Sequence, residues 1–456
     1  MLSRHFYYII LFVLPFACKQ RQDYTKFTGN PILYCKTVKK LNDVVLNNNF
    51  PPVIASRNYA YANIAAYECI AAGDGNYVSL AGQIRHLPVM PKADTNNKVD
   101  FQLAALLAFV KVGNAVTFPE GVLMDYYNDL RKQASDAGMD DDILENTVHF
   151  SDTISAVILT WGKGDNYAKT RSAQRYSVNN EEGRWVPTPP AYSQAVEPHW
   201  SEIRTLVLDS ASQCKPFAIP AYNIKNKQSR FYKQLMEVKN TVDSLTEDQK
   251  HVADFFDDNP FKLNVTGHVM YGTKKFSPPG HWMNIVGIAA EKTKANFNAT
   301  VVAYTETSIA IFDSFIGCWE TKFQTNFVRP ETVINKYIDP EWRPYIQTPP
   351  FPSYVSAHSV VSAAAAEVLT HHFGENFAYT DTSELEFGIP NRSFKSFHDA
   401  ALEASWSRLY GGIHYRADLE DGNEMGKKIG AIVIDRLRLR RNEEGKTIKS
   451  AVAQKK

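Results

Sequence analysis

The sequence predicts an all-α protein made of two packed helical bundles. Apolar residues recur at helical spacing in most long segments, whereas the period-two alternation expected of strands is scarce. The segment 141–161 shows this clearly, because one face carries Ile143, Thr147, Phe150, Ile154, Val157, Ile158 and Trp161. A break at Gly183–Pro190, where four of eight residues are glycine or proline, excludes a continuous helix between the two groups.

On the same grounds we predict helices over Thr37–Leu46, Ile54–Ala72, Val99–Lys111, Pro119–Ala137, Asp141–Trp161, Thr246–Phe256, Trp282–Phe297, Thr300–Glu320, Ser359–Phe373 and Asp418–Leu437. They divide into an N-terminal bundle over residues 24–182 and a C-terminal bundle over 241–440. An irregular Pro-rich connection over 183–240 joins the two bundles, and residues 441–456 are expected to form a solvated tail.

Composition excludes several classes of partner. The 456 residues carry 50 Lys and Arg against 49 Asp and Glu, so no overall field favours nucleic acid or an acidic membrane surface. Any anion site must therefore be local. The cysteines after residue 18 are too sparse for a disulfide framework, and we expect buried thiols with at most one or two bridges among Cys35, Cys69, Cys214 and Cys318.

Residues 1–18 have the layout of a secretory signal. Arg4 precedes the apolar run Phe6–Leu14, and the small residue Ala17 follows it. Cys18 is followed by polar residues, as in lipoprotein signals whose cysteine is acylated, although Pro15 stands where such signals usually carry leucine. We therefore expect an exported protein that is periplasmic, anchored to the outer membrane through Cys18, or secreted. After Ala17 no segment is expected to be apolar enough to span a bilayer.

The first group of candidate site residues is Trp319, Lys322, Arg329 and Pro330. Lys322 and Arg329 are seven residues apart, so both cations lie on one helix face if the helix continues to Pro330. A guanidinium beside an ammonium group matches a tetrahedral oxyanion. The alternative for two such cations is an ordinary solvated helix face.

The second group, Phe351–His358, comes directly before the predicted helix Ser359–Phe373. Backbone N–H groups at the helix start, together with the Ser356 hydroxyl, would cradle an anion. His358 stands at the edge of that cradle, where an acid–base residue reaches the reacting oxygens. In isolation, a histidine near a helix start is usually only a polar first-turn residue.

The third group comprises Ser407-Arg408, Gly411-Gly412, His414 and Asp418. The glycine pair should interrupt the helix that carries Arg408, so that Arg408 and His414 approach one pocket. Asp418 lies four residues after His414 and can accept from its Nδ1–H, which leaves Nε2 free as a ligand or nucleophile. The alternative is a purely structural His–Asp pair.

Other motifs add little to these three groups. The sequence contains no HExxH, P-loop or GxSxG motif, and no GxGxxG after a strand. His281, in Pro278–Trp282, is expected to be a structural residue at the start of a helix.

Taken together, the motifs Lys-x6-Arg-Pro, Pro-Ser-x2-Ser-x-His and Ser-Arg-x5-His-x3-Asp resemble those of one superfamily. It joins type 2 phosphatidic acid phosphatases, bacterial acid phosphatases and vanadium-dependent haloperoxidases. The haloperoxidase branch is the more similar, because Trp319 lies three residues before Lys322. Segments such as Arg184–Pro190, Glu197–Trp200 and Pro278–Trp282 are also typical of its bacterial members, so the resemblance covers about residues 50–435.

The resemblance implies vanadate bonded to His414 Nε2, with Asp418 fixing the histidine tautomer. The oxygens of vanadate would be held by Lys322, Arg329, Arg408, Ser356 and the amide of Ala357. His358 would be the acid–base for hydrogen peroxide, and Lys322 would polarise the peroxide towards a halide, iodide or bromide, giving hypohalous acid. Phosphate fits the same cradle.

The sequence departs from the family pattern in places. Ala357 stands where the family usually has glycine, and its methyl group could crowd the anion or change the backbone φ. Phe351 is shared with fungal chloroperoxidases, whereas algal bromoperoxidases have histidine there, and it does not decide the halide because iodide-specific bacterial members exist. Asp258 is a loosely aligned candidate for the family carboxylate that pairs with Arg408.

Two other functions remain open on the sequence. One is an acid phosphatase that uses His414 as nucleophile on a phosphate ester and is inhibited by vanadate. The other is a non-catalytic surface lipoprotein that binds a ligand.

Overall fold

The computed structural model describes residues 23–118, 121–216, 221–260, 262–266 and 268–441. The predicted signal over residues 1–18 and the tail after Arg441 lie outside the described residues. The helices of the first half are α1 Thr25–Thr28, α2 Pro31–Asn47, α3 Pro52–Gly73, α4 Phe101–Val116, α5 Val122–Asp136, α6 Asp141–Lys163 and α7 Tyr167–Arg171.

The second half contains eight described helices and two short antiparallel hairpins. The helices are α8 Arg230–Asp243, α9 Glu247–Phe255, α10 Pro278–Thr293, α11 Phe297–Thr325, α12 Pro330–Tyr337, α13 Ala357–Phe373, α14 Phe397–Tyr410 and α15 Arg416–Arg436. In one hairpin β1 Lys262–Thr266 pairs with β2 Val269–Thr273, and in the other β3 Tyr379–Asp381 pairs with β4 Arg392–Phe394. The all-α fold class is confirmed.

One predicted helix is wrong. The segment Trp282–Phe297 is not one helix, because α10 ends at Thr293 and Lys294 adopts a left-handed conformation (φ 54°). Asn296 then caps α11 by accepting a hydrogen bond from the Ala299 amide at 2.8 Å. Within the connection predicted over 183–240, regular helix returns at Arg230, where α8 begins. The division into bundles over 24–182 and 241–440 stays a prediction.

Helix α11 is the central helix of the protein. It packs against α3 from the first half and against α10, α13 and α15 from the second. Aromatic rings from the two halves pack edge to face. The ring centroids of Tyr34 and Tyr304 are 5.6 Å apart, and those of Tyr61 and Phe312 are 6.4 Å apart. One hydrophobic core therefore runs through both groups of helices.

The hydropathy of α11 corrects one expectation. The helix has 29 residues and a window with mean hydropathy 1.2, so by length and composition it could cross a bilayer, contrary to the expectation for the chain after Ala17. All of that window is buried inside the protein, as expected for a core helix. The four cysteines of the described chain are free thiols, and no bridge forms among them.

Close helix contacts bring the candidate motifs together. Helices α13 and α15 approach so closely that a Cβ atom at Gly426 would lie 2.2 Å from the Val360 carbonyl oxygen. Between α14 and α15 the chain turns at Gly411-Gly412, where Gly412 has a φ of 80°. The start of α13 and the α14–α15 turn therefore lie next to the end of α11.

Candidate active site

Lys322 and Arg329 converge, but not on one helix face as predicted. Helix α11 ends at Thr325 with Asn326 in a left-handed conformation, and Arg329 is the N-cap of α12. Pro330 therefore begins a helix rather than ending one, since its missing N–H is no loss at that position. Both cations contact the Phe351 ring, with Lys322 Nζ 5.0 Å and Arg329 Cζ 5.1 Å from its centroid.

Both cations are fully buried and held by backbone carbonyl groups. Lys322 Nζ donates to the carbonyl oxygens of Pro352 at 2.8 Å and Ser353 at 2.9 Å. Arg329 donates from Nε to the Phe351 carbonyl at 2.9 Å, while its Nη2 is buried without a hydrogen-bond partner. Burial lowers the pKa of Lys322 to about 7 and that of Arg329 to about 9. An anion bound beside them would reverse these shifts.

His414 lies in the turn before α15 and makes the predicted contact with Asp418. Its Nδ1 is 2.8 Å from Asp418 Oδ2, an oxygen that also accepts from the Ser353 hydroxyl. On the other side of the ring, Nε2 is 3.0 Å from Arg329 Nη1, which can only donate. The ring is therefore the tautomer with a proton on Nδ1 and a lone pair on Nε2. Burial, followed by Arg329 and Lys322, holds the pKa of His414 well below its ordinary value.

Helix α13 begins with the three residues that the second motif singled out. Ser356 is its N-cap and accepts from the Ser359 amide at 3.3 Å. Ala357 and His358 occupy the first turn, where backbone N–H groups have no acceptor within the helix. Ala357 is not among the described residues with positive φ, so its methyl group does not strain the backbone.

Arg408, near the end of α14, is held in place by neutral acceptors. It donates to the Ser407 hydroxyl at 3.0 Å and to the carbonyl oxygens of Asp257, at 3.3 Å, and Phe256. The suggested pair between Arg408 and Asp258 is wrong, because Asp258 instead contacts two histidines, His281 and His358. Burial lowers the pKa of Arg408 to about 10.

A cavity of about 260 Å³ opens onto these groups. Its polar lining includes Asp257, Asp258, His358, Arg408 and His414, whereas much of its wall is proline and aliphatic side chains. Lys322, Arg329 and Ser356 lie behind the lining. All the predicted site residues thus gather at one end of the cavity, where three buried cations and a helix start surround His414. Such an arrangement can hold a multiply charged tetrahedral oxyanion.

Sequence reasoning missed three buried residues beside this site. His281 was expected to be structural, and Asp381 and Glu384 were not singled out, although His281 and Glu384 lie close to Asp258 and Asp381 contacts the far side of His281. Asp258 and Asp381 are 123 residues apart in sequence and have no shared motif. The Pro-Pro-Gly-His-Trp segment around His281 was the only signal that could have drawn attention to them.

Comparisons with known proteins agree with the geometry. The family model of the VCPO second helical-bundle domain matches residues 303–443. The first bacterial vanadium-dependent iodoperoxidase of known structure is 40% identical, with a TM-score of 0.86 over 91% of this chain and 99% of that chain. The holo and apo forms of a bacterial vanadium-dependent chloroperoxidase, each 16% identical with a TM-score of 0.63, share the fold over 85% of this chain and 92% and 94% of theirs. No curated protein sequence matches.

These observations agree on one family. The second helical-bundle domain contains Lys322, Arg329, the start of α13 and the His414–Asp418 pair. The similarity to the iodoperoxidase extends over nearly the whole of that protein, so it includes both groups of helices as well as the site. The chain belongs to the vanadium-dependent haloperoxidases.

Proposed function

We propose that this haloperoxidase binds one vanadate at His414 and uses hydrogen peroxide to oxidise iodide in preference to bromide or chloride. The observation that carries the proposal is the His414 ring, whose lone pair on Nε2 lies among three buried cations. Iodide gives up electrons more easily than the other two halides. The similarity to a bacterial iodoperoxidase over nearly its whole length supports the same choice.

The donor set fits vanadate. Three cations, Lys322, Arg329 and Arg408, are at most 2% exposed and donate hydrogen bonds to backbone carbonyl groups. Buried carboxylates also act on them, Asp418 on Lys322 and Arg329 and Asp257 on Arg408, but burial still lowers all three pKa values, so an added anion would stabilise the charged forms. Arg329 Nη2, which has no partner, is a further donor for such an anion. His414 supplies the neutral imidazole nitrogen that a vanadium atom requires.

The residues of this site have different roles in the proposed reaction. Bound vanadate supplies a Lewis-acidic centre that activates hydrogen peroxide towards a halide without changing oxidation state. Lys322, Arg329 and Arg408 stabilise negative charge on the oxygens, and Asp418 keeps the lone pair of His414 on Nε2. His358 lines the cavity beside these groups, where it would accept a proton from hydrogen peroxide and return it to the oxygen that leaves as water. Overall, peroxide, iodide and one proton give hypoiodous acid and water.

The protonation state of His358 suits the role of a base. Burial, and after it Arg408, lowers the pKa of His358 to about 4 in the vanadate-free protein. The ring is therefore neutral above pH 4 and can accept a proton at neutral pH. Since a bound anion stabilises the imidazolium form, vanadate should raise this pKa towards the working pH.

The halide preference is tested by comparing initial rates with the three halides at equal concentrations of peroxide and vanadate-loaded protein. We expect iodide to be oxidised fastest, bromide at least about tenfold more slowly, which corresponds to about 1.4 kcal/mol in the barrier, and chloride not measurably. Chloride oxidation at a rate similar to that of iodide would contradict the preference. Protein without vanadate is the matched control and should show none of these activities.

For the cellular location, we propose export with a lipid anchor at Cys18. The support is the sequence alone, namely the basic residue and apolar run before Ala17 and the polar residues after Cys18. In a Gram-negative bacterium we expect the full chain to fractionate with the outer membrane and the Cys18→Ser variant to lose that association. A wild-type chain found only in the cytoplasm would refute the proposal.

A further inference from the structure

A series of four side chains, His358 and the buried Asp258, His281 and Asp381, leads away from the cavity. His358 Nε2 lies 3.5 Å from Asp258 Oδ2, and Asp258 Oδ1 lies 2.9 Å from His281 Nδ1. On its far side, His281 Nε2 lies 2.9 Å from Asp381 Oδ2. His281 and Asp381 are at most 1% exposed, so water does not compete for these contacts. Each histidine in the series therefore faces a carboxylate.

The two contacts of His281 indicate that it is an imidazolium ion. A carboxylate can only accept, so each ring nitrogen must donate if both hydrogen bonds form. Burial opposes the charge, but Asp258 and Asp381 outweigh burial and hold the pKa of His281 well above its ordinary value. The same contact keeps Asp258 ionised: although burial opposes its charge too, His281 and then His358 hold the pKa of Asp258 well below its ordinary value.

Asp258 in turn determines which nitrogen of His358 carries the proton. Nε2 of His358 is buried 3.5 Å from Asp258 Oδ2, which is an ion-pair distance rather than a formed hydrogen bond, and 14% of the side chain is exposed. The other charged groups that influence His358 are Arg408 and His281, both positive, and neither can accept a proton from Nε2. Oδ1 of Asp258 accepts from His281, and Oδ2 is the oxygen that lies towards His358 Nε2. The lone pair of neutral His358 is then on Nδ1.

We propose that His281 is a positioning residue for His358, acting through Asp258. Its two N–H groups hold Asp258 and Asp381 apart and keep Asp258 charged, so that His358 donates from Nε2 and presents Nδ1 as its basic atom. This inference rests on the acid–base role proposed for His358. In this arrangement Asp258 orients the base His358, and His281 orients Asp258.

Glu384 distinguishes this arrangement from a bound divalent cation. Ligand atoms of Asp258, His281 and Glu384 lie within 4.8 Å of one another, and both carboxylate oxygens of Glu384 are buried without a hydrogen bond. Burial, with Asp258 also contributing, raises the pKa of Glu384 to about 8, so at neutral pH Glu384 is largely protonated and needs no further cation. A metal on His281 Nδ1 would displace the proton that Asp258 accepts, so the two arrangements exclude each other.

The tautomer of His358 tests the proposal directly. Nitrogen NMR of vanadate-free protein labelled at its histidine rings, with the signals assigned through a His358→Gln variant, should show neutral His358 protonated on Nε2. In Asp258→Asn the amide oxygen is expected to accept from His281, which turns the amide N–H towards His358 and moves its proton to Nδ1. His281→Leu should cause the same reversal, because Asp258 then becomes protonated and donates to Nε2. His281→Asn keeps a donor towards Asp258 and should retain most of the original tautomer.

Turnover and binding provide the second measurement. With vanadate bound, kcat for iodide oxidation should fall by about 10²–10⁴-fold in Asp258→Asn and His281→Leu, because the base is lost. Vanadate affinity should change far less than kcat, since neither residue forms an ion pair with Lys322, Arg329, Arg408 or His414 in the described structure, although the charge of Asp258 acts on Arg408. If His281→Leu does not fold, Asp258→Asn and His281→Asn still test whether His281 acts on His358 through Asp258.

Three results would overturn the proposal. The first is a proton on Nδ1 of His358 in the wild-type protein, and the second is an unchanged His358 tautomer in Asp258→Asn. The third is the release of one equivalent of a divalent metal from purified protein to a chelator, accompanied by a change in the His358 tautomer. The NMR measurement needs no turnover, so it gives an answer even if the protein oxidises no halide. Failure of the proposed function and failure of this inference are therefore separate outcomes.

Discussion

Replacing His414 with alanine should abolish vanadate binding in a protein that remains folded. His414 provides a neutral imidazole nitrogen beside the cations, and Asp418 keeps the lone pair of the ring on Nε2. Loss of a residue that merely orients a metal ligand typically costs 10–100-fold in affinity, so loss of the ligand itself should cost more than about 100-fold. The measurement is equilibrium dialysis with vanadate, after circular dichroism has shown that the helices are intact.

Asp418→Asn is the matched control for His414→Ala. The amide keeps the shape of the carboxylate but no longer favours the proton on Nδ1, so we expect vanadate affinity to fall only about 10–100-fold. If His414→Ala binds vanadate as tightly as the wild type, the cations alone hold the anion. His414 would then have no role as the vanadium ligand.

Replacing His358 with alanine should leave vanadate binding nearly unchanged and greatly lower kcat. The side chain lines the cavity and forms its ion pair with Asp258 rather than with the residues that would hold vanadate, so vanadate affinity should stay within a few-fold of the wild type. Without the acid–base residue, kcat for iodide oxidation should fall by about 10²–10⁴-fold. The two quantities are measured on one preparation, affinity by dialysis and kcat from initial rates at saturating vanadate.

His149→Ala is the control for replacing a histidine with alanine outside the site. His149 is exposed on α6 and does not line the cavity, so its removal should alter neither quantity. Equal losses of vanadate binding in His358→Ala and His414→Ala would show that the two histidines have been assigned the wrong roles.

The parts of the site that depend on local geometry could be predicted from the sequence. The contact between His414 and Asp418 follows from their spacing of four, and the start of α13 follows from Ser356 as a cap. The convergence of Lys322 and Arg329 was also predicted, but for the wrong reason. A left-handed residue at Asn326 ends α11 early, and the hydropathy pattern contains no sign of it.

The parts that depend on tertiary packing could not be predicted. Asp258 was matched to Arg408 because both lie in the expected region, yet in the fold Arg408 is satisfied by backbone carbonyl groups and Asp258 by His281. No local pattern states which of two acceptors a buried guanidinium will meet. In the same way, Asp381 lies 100 residues from His281 and reaches it only through a short hairpin strand, β3, which has too few residues for a period-two signal.

The same limit applies to the long central helix. The apolar composition of α11 is equally compatible with a membrane span and with a buried core helix, and only the helices packed around it decide between them. Its position also explains why the site forms at its C-terminal end, where Lys322 meets the starts of α12 and α13.

The most direct test of the central claim is a titration of vanadate-free protein with vanadate while peroxide-dependent iodide oxidation is recorded. We expect the initial rate to rise in proportion to added vanadate and to level off at one equivalent. Hydrolysis of a chromogenic phosphate ester, measured in the same samples, should be negligible throughout. No iodide oxidation at any ratio, together with ester hydrolysis that vanadate inhibits, would contradict the account and identify His414 as the nucleophile of a phosphatase.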